Sequence, residues 1–156
     1  MSDLATVILA AGKGTRMKST LPKVLHRVGG KSMLQHVLDA AKQAGASRNI
    51  VVVGFGAEQV KEAMGDQAEF VVQQEQLGTG HAVKQTAPLL AKDTGTVMVL
   101  CGDTPLLTGA LLKKLYDAHK EAGAKATVLT AIMPDAAGYG RIIRTATETV
   151  LKIVEP

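Results

Sequence analysis

The run Leu4-Ala5-Thr6-Val7-Ile8-Leu9-Ala10 is followed at once by Ala11-Gly12-Lys13-Gly14-Thr15-Arg16-Met17. The first half is short, apolar and rich in β-formers, and it reads as a buried strand ending in small residues. The second half is a loop of small residues, glycines and cations. Alanine and glycine let a backbone approach a ligand closely, and successive N–H groups can cup phosphate oxygens. Lys13 and Arg16 put positive charge at that point, and Lys23 in Leu21-Pro22-Lys23-Val24-Leu25 adds a third cation behind a rigid proline.

Outward from this unit, apolar strands alternate with helix-period segments. Ser32 caps an expected helix carrying Met33, Leu34, Val37, Leu38 and Ala41 at helical spacing, with Gly45 as its stop. Ile50–Val53 reads as a strand, Ala57–Met64 as a short helix and Glu69–Val72 as a third strand. Gly78–Leu90 reads as one helix ending near Pro88, and Thr96–Leu100 as a further strand. Thr108 caps a helix with Leu111, Leu112, Leu115, Tyr116 and His119 on one face. Strands are expected over Lys125–Ile132, Arg141–Arg144 and Thr149–Val154. This alternation implies βαβ units: an α/β fold of three layers, a mostly parallel sheet with helices on both faces. Ligands of such sheets sit beyond the carboxyl ends of the strands. The loops after Ala10, Val72 and Leu100, and the one around Gly138, therefore carry the functional reading.

A length of 156 residues fits one domain, and 46% hydrophobic against 21% charged residues is a globular balance. No apolar run reaches the ~18 residues that a bilayer span needs. Met1-Ser2-Asp3 has no cationic region, so a signal peptide is not expected. The lone Cys101 excludes an internal disulfide framework and fits a reducing cytoplasm. A net charge of +4 suits an anionic ligand. Aromatics amount to only 3%, too few for the stacking platforms of single-strand binding, so nucleic acid is not the expected partner. Val150–Glu155 is strand-like to the end, which reads as part of a longer domain and as an edge prone to pairing with a second copy.

Two familiar phosphate motifs are absent. After Gly12-Lys13-Gly14 the dinucleotide fingerprint needs Gly or Ala where Met17 stands. Gly30-Lys31-Ser32 lacks the earlier P-loop glycine, since Leu25 holds that position. In Gln73-Gln74-Glu75-Gln76-Leu77-Gly78-Thr79-Gly80-His81-Ala82, side-chain amides can read a base edge and Gly78-Thr79 opens a helix. His81 has no second histidine at ligand spacing and reads as structural. In Cys101-Gly102-Asp103-Thr104-Pro105-Leu106, a carboxylate directly after a buried strand suits Mg²⁺ held against phosphates. Cys101 lacks a relay partner and is not expected to be a nucleophile.

In these loops, and in Gly138-Tyr139-Gly140-Arg141 and Ile153-Val154-Glu155, the chain resembles the sugar-1-phosphate nucleotidyltransferases. Within them it is similar to the uridyltransferase domain of the bacterial bifunctional N-acetylglucosamine-1-phosphate uridyltransferases. The resemblance implies a Rossmann-like nucleotide-diphospho-sugar transferase fold over residues 1–156, without the acetyltransferase β-helix of that family. It implies UMP transfer from UTP to N-acetylglucosamine 1-phosphate, giving UDP-N-acetylglucosamine for cell-wall precursor synthesis. Leu9, Ala10, Ala11, Gly12, Gln73, Gly78 and Thr79 are implied to hold the uridine, with Cys101 and Gly102 among the substrate-binding residues. Arg16 and Lys23 are implied as the catalytic cations facing the triphosphate, Asp103 as the Mg²⁺ ligand, and Gly140 and Glu155 as amino-sugar contacts. A non-catalytic nucleotide-binding module, or a nucleotidyltransferase for another base or sugar, is the alternative reading.

Overall fold

A computed structural model describes residues 3–92, 95–147 and 149–154 of the chain. Its strands are β1 (Leu4–Ala10), β2 (Arg27–Val28), β3 (Lys31–Ser32), β4 (Arg48–Val53), β5 (Glu69–Val72), β6 (Thr96–Cys101), β7 (Arg141–Arg144) and β8 (Val150–Val154). Its α-helices are α1 (Met33–Gln43), α2 (Ala57–Met64), α3 (Thr79–Lys84), α4 (Ala87–Leu90) and α5 (Gly109–Glu121). The main sheet runs β5-β4-β1-β6. All three of its pairings are parallel. In register, Ala10 lies beside Val53, Val53 beside Val72, and Leu9 beside Cys101. The four strands thus end level, and the loops that follow them emerge along one edge.

Side chains alternate across each strand, so the sheet has two faces to cover. Leu4, Ile8, Val51, Val53, Met98 and Leu100 pack with Leu34, Val37 and Leu38 of α1, Val60 and Met64 of α2, and Leu112 of α5. Val7, Ala11 and Val52 pack on the other face with Ala82 of α3, against Val83 and Leu90. The expected three layers are present. Ile8, Leu34, Leu38 and Val51 are fully buried, each worth about 1.5–3 kcal/mol relative to exposure.

Local chemistry sets the helix boundaries. Ser32 Oγ accepts from the Gln35 N–H at 3.2 Å and starts α1. Thr108 Oγ1 accepts from the Leu111 N–H at 3.2 Å and starts α5. Asp3 ties α5 to the start of β1 by accepting from Tyr116 and from Lys120. The Tyr116 hydrogen bond, then that of Lys120, holds the Asp3 carboxyl below its ordinary value. That tie therefore persists above the ordinary carboxylate range and is lost as pH falls through the lowered value. Thr108→Ala should cost about 1 kcal/mol, measured as a lower urea midpoint at unchanged slope, because one N-cap acceptor is removed.

Two sequence expectations fail. Gly78–Leu90 is not one helix: α3 ends at Lys84, and Thr86 Oγ1 donates to the Val83 carbonyl at 2.7 Å in the break. Pro88 sits in the first turn of α4, where a missing N–H costs nothing, so it begins a helix rather than ending one. Lys125–Ile132 forms no strand. It runs alongside β6 across a groove of about 640 Å³ lined by Val97, Val99, Leu115, Tyr116, Val128 and Leu129. Apolar β-formers cannot make a strand without a neighbour within hydrogen-bonding distance, and the outer edge of β6 pairs with no described strand. β7 and β8 pair antiparallel with each other, apart from the main sheet.

Candidate nucleotide site

At the carboxyl edge of the sheet, a cavity of about 580 Å³ is lined by Leu9, Ala10, Gly12, Arg16, Lys23, Cys101 and Asp103, together with Gly14, Thr15, Met17 and Val24. Seven of the residues singled out in the sequence thus share one cavity. The larger groove beside β6 is chiefly apolar, with Cys101, Tyr116, His119 and Lys125 as its ionisable lining. We place the site in the smaller cavity, where cations, a carboxylate and a glycine loop meet.

The loop after β1 folds back on itself. The Met17 N–H donates to the Gly14 carbonyl at 2.9 Å, closing a turn over Thr15–Met17. Gly14 has φ +60°, and a Cβ there would stand 2.8 Å from Lys23 Cβ. Only glycine lets the loop lie this close to the lysine stem. Pro22 precedes a second turn, Lys23–Leu25, closed by the Leu25 N–H on the Pro22 carbonyl at 2.9 Å. The third wall comes from β6. The Gly102 N–H donates to the Leu9 carbonyl at 2.9 Å, extending the β1–β6 ladder past the strand and seating Asp103 at the end of β1.

This convergence brings Lys23 Nζ to 2.5 Å from Asp103 Oδ2, across 80 positions of sequence. Both side chains are about one-third exposed, so the pair is worth only ~0–1 kcal/mol to the fold. Arg16 makes no hydrogen bond or ion pair among the described residues. Lys13 Nζ stands 5.8 Å from the Phe55 ring centroid, a cation–π distance. Desolvation, then the Asp103 charge, pushes the Cys101 thiol up, with Lys23 opposing. The thiol is thus held in its protonated, less nucleophilic form.

Among the described residues no group of three or more His, Cys, Asp or Glu forms a metal cage. The chain instead offers Asp103, one hard oxygen donor at the glycine loop. That donor set fits Mg²⁺, which keeps several waters and bridges one or two carboxylates to phosphates. It does not fit a dedicated protein-only site.

The other expected residues lie along or beyond this edge. Ala11 is buried, and its carbonyl accepts from the Phe55 N–H at 3.3 Å. Gln73, only 3% exposed, donates its N–H to the Val53 carbonyl at 2.8 Å, continuing the β4–β5 pairing. Gly78 stands at φ +99° before α3, which Thr79 begins. His81 lies 3.0 Å from the Gln73 amide, a partner inside the protein as the structural reading expects. Gly140 is exposed ahead of β7 and does not line the cavity. Glu155 lies outside the described residues. Sequence reasoning did not single out Gly14, Thr15, Met17 and Val24 as site residues. Gly14, Thr15 and Met17 lie inside the loop that drew attention, while nothing in the pattern marks Val24.

Among curated relatives, the "Bifunctional protein GlmU" of Bacillus cereus (strain AH187) is 57% identical over 155 residues, which is 99% of this chain. The chain spans about a third (34%) of the length of that relative. A crystal structure of Rv0371c from Mycobacterium tuberculosis H37Rv matches with TM-score 0.67 and 26% identity, covering 77% of this chain and 62% of that one. The manganese complex of the same protein matches with TM-score 0.64 and 26% identity, covering 77% and 61%. No helix among the described residues is long and apolar enough to cross a membrane. The model of the MobA-like NTP transferase domain matches residues 6–145, and the chain belongs to that family.

Proposed function

We propose that this chain is the nucleotide-binding part of a uridylyltransferase that moves UMP from UTP to N-acetylglucosamine 1-phosphate. The Lys23–Asp103 contact in the cavity of the glycine loop, beside the unpaired Arg16, carries the reading. It puts a cation for phosphate and a carboxylate for a phosphate-bound cation within one hydrogen bond of each other. The 57% identity to the GlmU protein supports the sugar-nucleotide branch. Residues 1–156 then form the N-terminal portion of the nucleotidyltransferase domain, acting in the cytoplasm where UTP is made.

In this chemistry a sugar-phosphate oxygen attacks the α-phosphorus in line. The new P–O bond forms as the bond to the β-phosphate bridging oxygen breaks, and pyrophosphate leaves with the electron pair. The attacking oxygen is already anionic at neutral pH, so no general base is needed. The task is to bring anions together and hold charge on the α-phosphate and the leaving group. Arg16 and Lys23 do so from two sides of the cavity, and the Gly12–Thr15 backbone gives close approach. Asp103 would hold Mg²⁺ here, and the ion would supply further charge neutralisation. Leu9, Ala10, Ala11, Gly12, Gln73, Gly78 and Thr79 hold the uridine, Cys101 and Gly102 are further substrate-binding residues, and Gly140 and Glu155 reach the amino sugar.

Calorimetric titration with each of the four NTPs and Mg²⁺ tests the reading, with pyrophosphate release from UTP and N-acetylglucosamine 1-phosphate as the second measurement. UTP preference supports it; preference for another base, or no nucleotide binding, overturns it. Lys23→Ala should weaken UTP–Mg²⁺ binding about tenfold with an unchanged melting curve, since a charge-assisted contact is worth ~1.5–3 kcal/mol before solvent screening. Copies of the chain should also pair along the strand edge at Val150–Val154, read as a concentration-dependent mass in solution.

A further inference from the structure

Gln73 combines deep burial with an amide that is only half used. Its nitrogen donates to the Gly78 carbonyl at 3.2 Å and lies 3.0 Å from His81 Nδ1. The side chain is 3% exposed, so water cannot freely replace these partners. Among the described residues its carbonyl oxygen, Oε1, has no hydrogen-bond partner.

The Gly78 carbonyl can only accept, which fixes which end of the Gln73 amide is nitrogen. That nitrogen has hydrogens to give and no lone pair to receive. His81 Nδ1 must then be the lone-pair nitrogen, which makes His81 neutral with its hydrogen on Nε2. His81 Nε2 lies 3.1 Å from the Gln85 amide, whose nitrogen also faces the His81 carbonyl at 3.1 Å. A neutral imidazole accepts at one nitrogen only, so one of the two glutamines must turn. Turning Gln85 gives up its bond to the His81 carbonyl to present its oxygen to Nε2–H, but Gln85 is the more exposed of the two, so water can take up what it loses. The opposite tautomer would turn the buried Gln73 instead, setting its oxygen against the Gly78 carbonyl.

We propose that His81 is a positioning residue for base choice: its Nδ1 lone pair, with the Gly78 carbonyl, holds the Gln73 amide so that only an acceptor oxygen remains for the base. An acceptor facing N3 of a pyrimidine receives the N3–H of uracil and meets the lone pair of cytosine. Reversing the amide reverses that preference. The inference rests on the uridine reading of Gln73 given above.

Two measurements test it. In long-range ¹H–¹⁵N spectra of the ligand-free chain, Nδ1 of His81 should appear as the unprotonated nitrogen and Nε2 as the protonated one. A protonated Nδ1 overturns the proposal whatever nucleotide the chain binds. Calorimetry with UTP and CTP then compares the parent chain with His81→Asn, which keeps an acceptor near Nδ1, and His81→Leu, which removes it. The UTP-over-CTP ratio should fall by about tenfold in His81→Leu and recover in His81→Asn, while affinity for pyrophosphate stays constant. An unchanged ratio in a folded His81→Leu overturns the positioning role. A parent chain that prefers a purine overturns the uridine reading and leaves the tautomer measurement to decide how Gln73 is held.

Discussion

Asp103→Asn should abolish the Mg²⁺ dependence of UTP binding and cut any pyrophosphate release by about a hundredfold or more, several kcal/mol of lost charge stabilisation. The same substitution should leave metal-free UTP binding intact or raise it by up to about fivefold. In the free protein Lys23 is held by Asp103 at 2.5 Å. Removing the carboxylate charge frees the ammonium for phosphate, and the pair is solvent-screened enough for the gain to stay near 1 kcal/mol at most. Opposite signs with and without metal distinguish a metal ligand from a turn residue. If both titrations weaken together, the substitution has disturbed the loop and Asp103 is structural.

Gly102→Val should lower stability by about 1–3 kcal/mol and remove nucleotide binding together with it. A Cβ at Gly102 would stand 2.9 Å from the Leu9 carbonyl oxygen, 3.2 Å from Val24 Cγ1 and 3.5 Å from Ala10 Cβ. The first is β1 backbone, which cannot swing aside as a flexible side chain would, and valine adds two methyls beyond the Cβ. The β6 end would have to lift away from β1, carrying Asp103 out of reach of Lys23. Gly80→Ala is the contrasting control. Nothing lies within 4 Å of a Cβ there, and α3 gains a better helix former, so its melting point should hold or rise. A Gly102→Val protein that melts like the parent and binds UTP would show that the close β1–β6 contact is dispensable.

The fold was legible where local chemistry and periodicity agree. Ser32 and Thr108 cap the helices that their spacing announces, and Ala57–Met64 and Glu69–Val72 fall where apolar periodicity sets them. Pro88 misled because proline both ends and begins helices, and here it stands in the first turn of α4, after a break where Thr86 Oγ1 donates to the Val83 carbonyl. Lys125–Ile132 misled because β-propensity reports what a segment tolerates, whereas a strand exists only with a partner. The phosphate loop was legible as composition: glycines, small residues and cations after the first strand. The pairing of Lys23 with Asp103 was not, since no pattern relates positions 80 apart; the parallel register of β1 and β6 creates it. The Gln73–His81 contact sits only eight positions apart, yet a histidine in a polar loop signals no tautomer until its neighbours are in place.

One of the two central strands of the sheet, β1, is also the first one made. β1 receives one neighbour when β4 is complete, but its other side stays bare until β6 has been synthesised, because Leu4 pairs with Thr96 and Leu9 with Cys101. At translation rates of about 5–20 residues per second, the roughly fifty residues between those events take about 2–10 s. For that interval the nascent chain presents the backbone groups of its most apolar strand along an uncovered side. The last partner to arrive, β6, is also the strand that carries Asp103 to the phosphate loop. Assembly of the cavity that brings Lys23 and Asp103 together is therefore coupled to closure of the sheet.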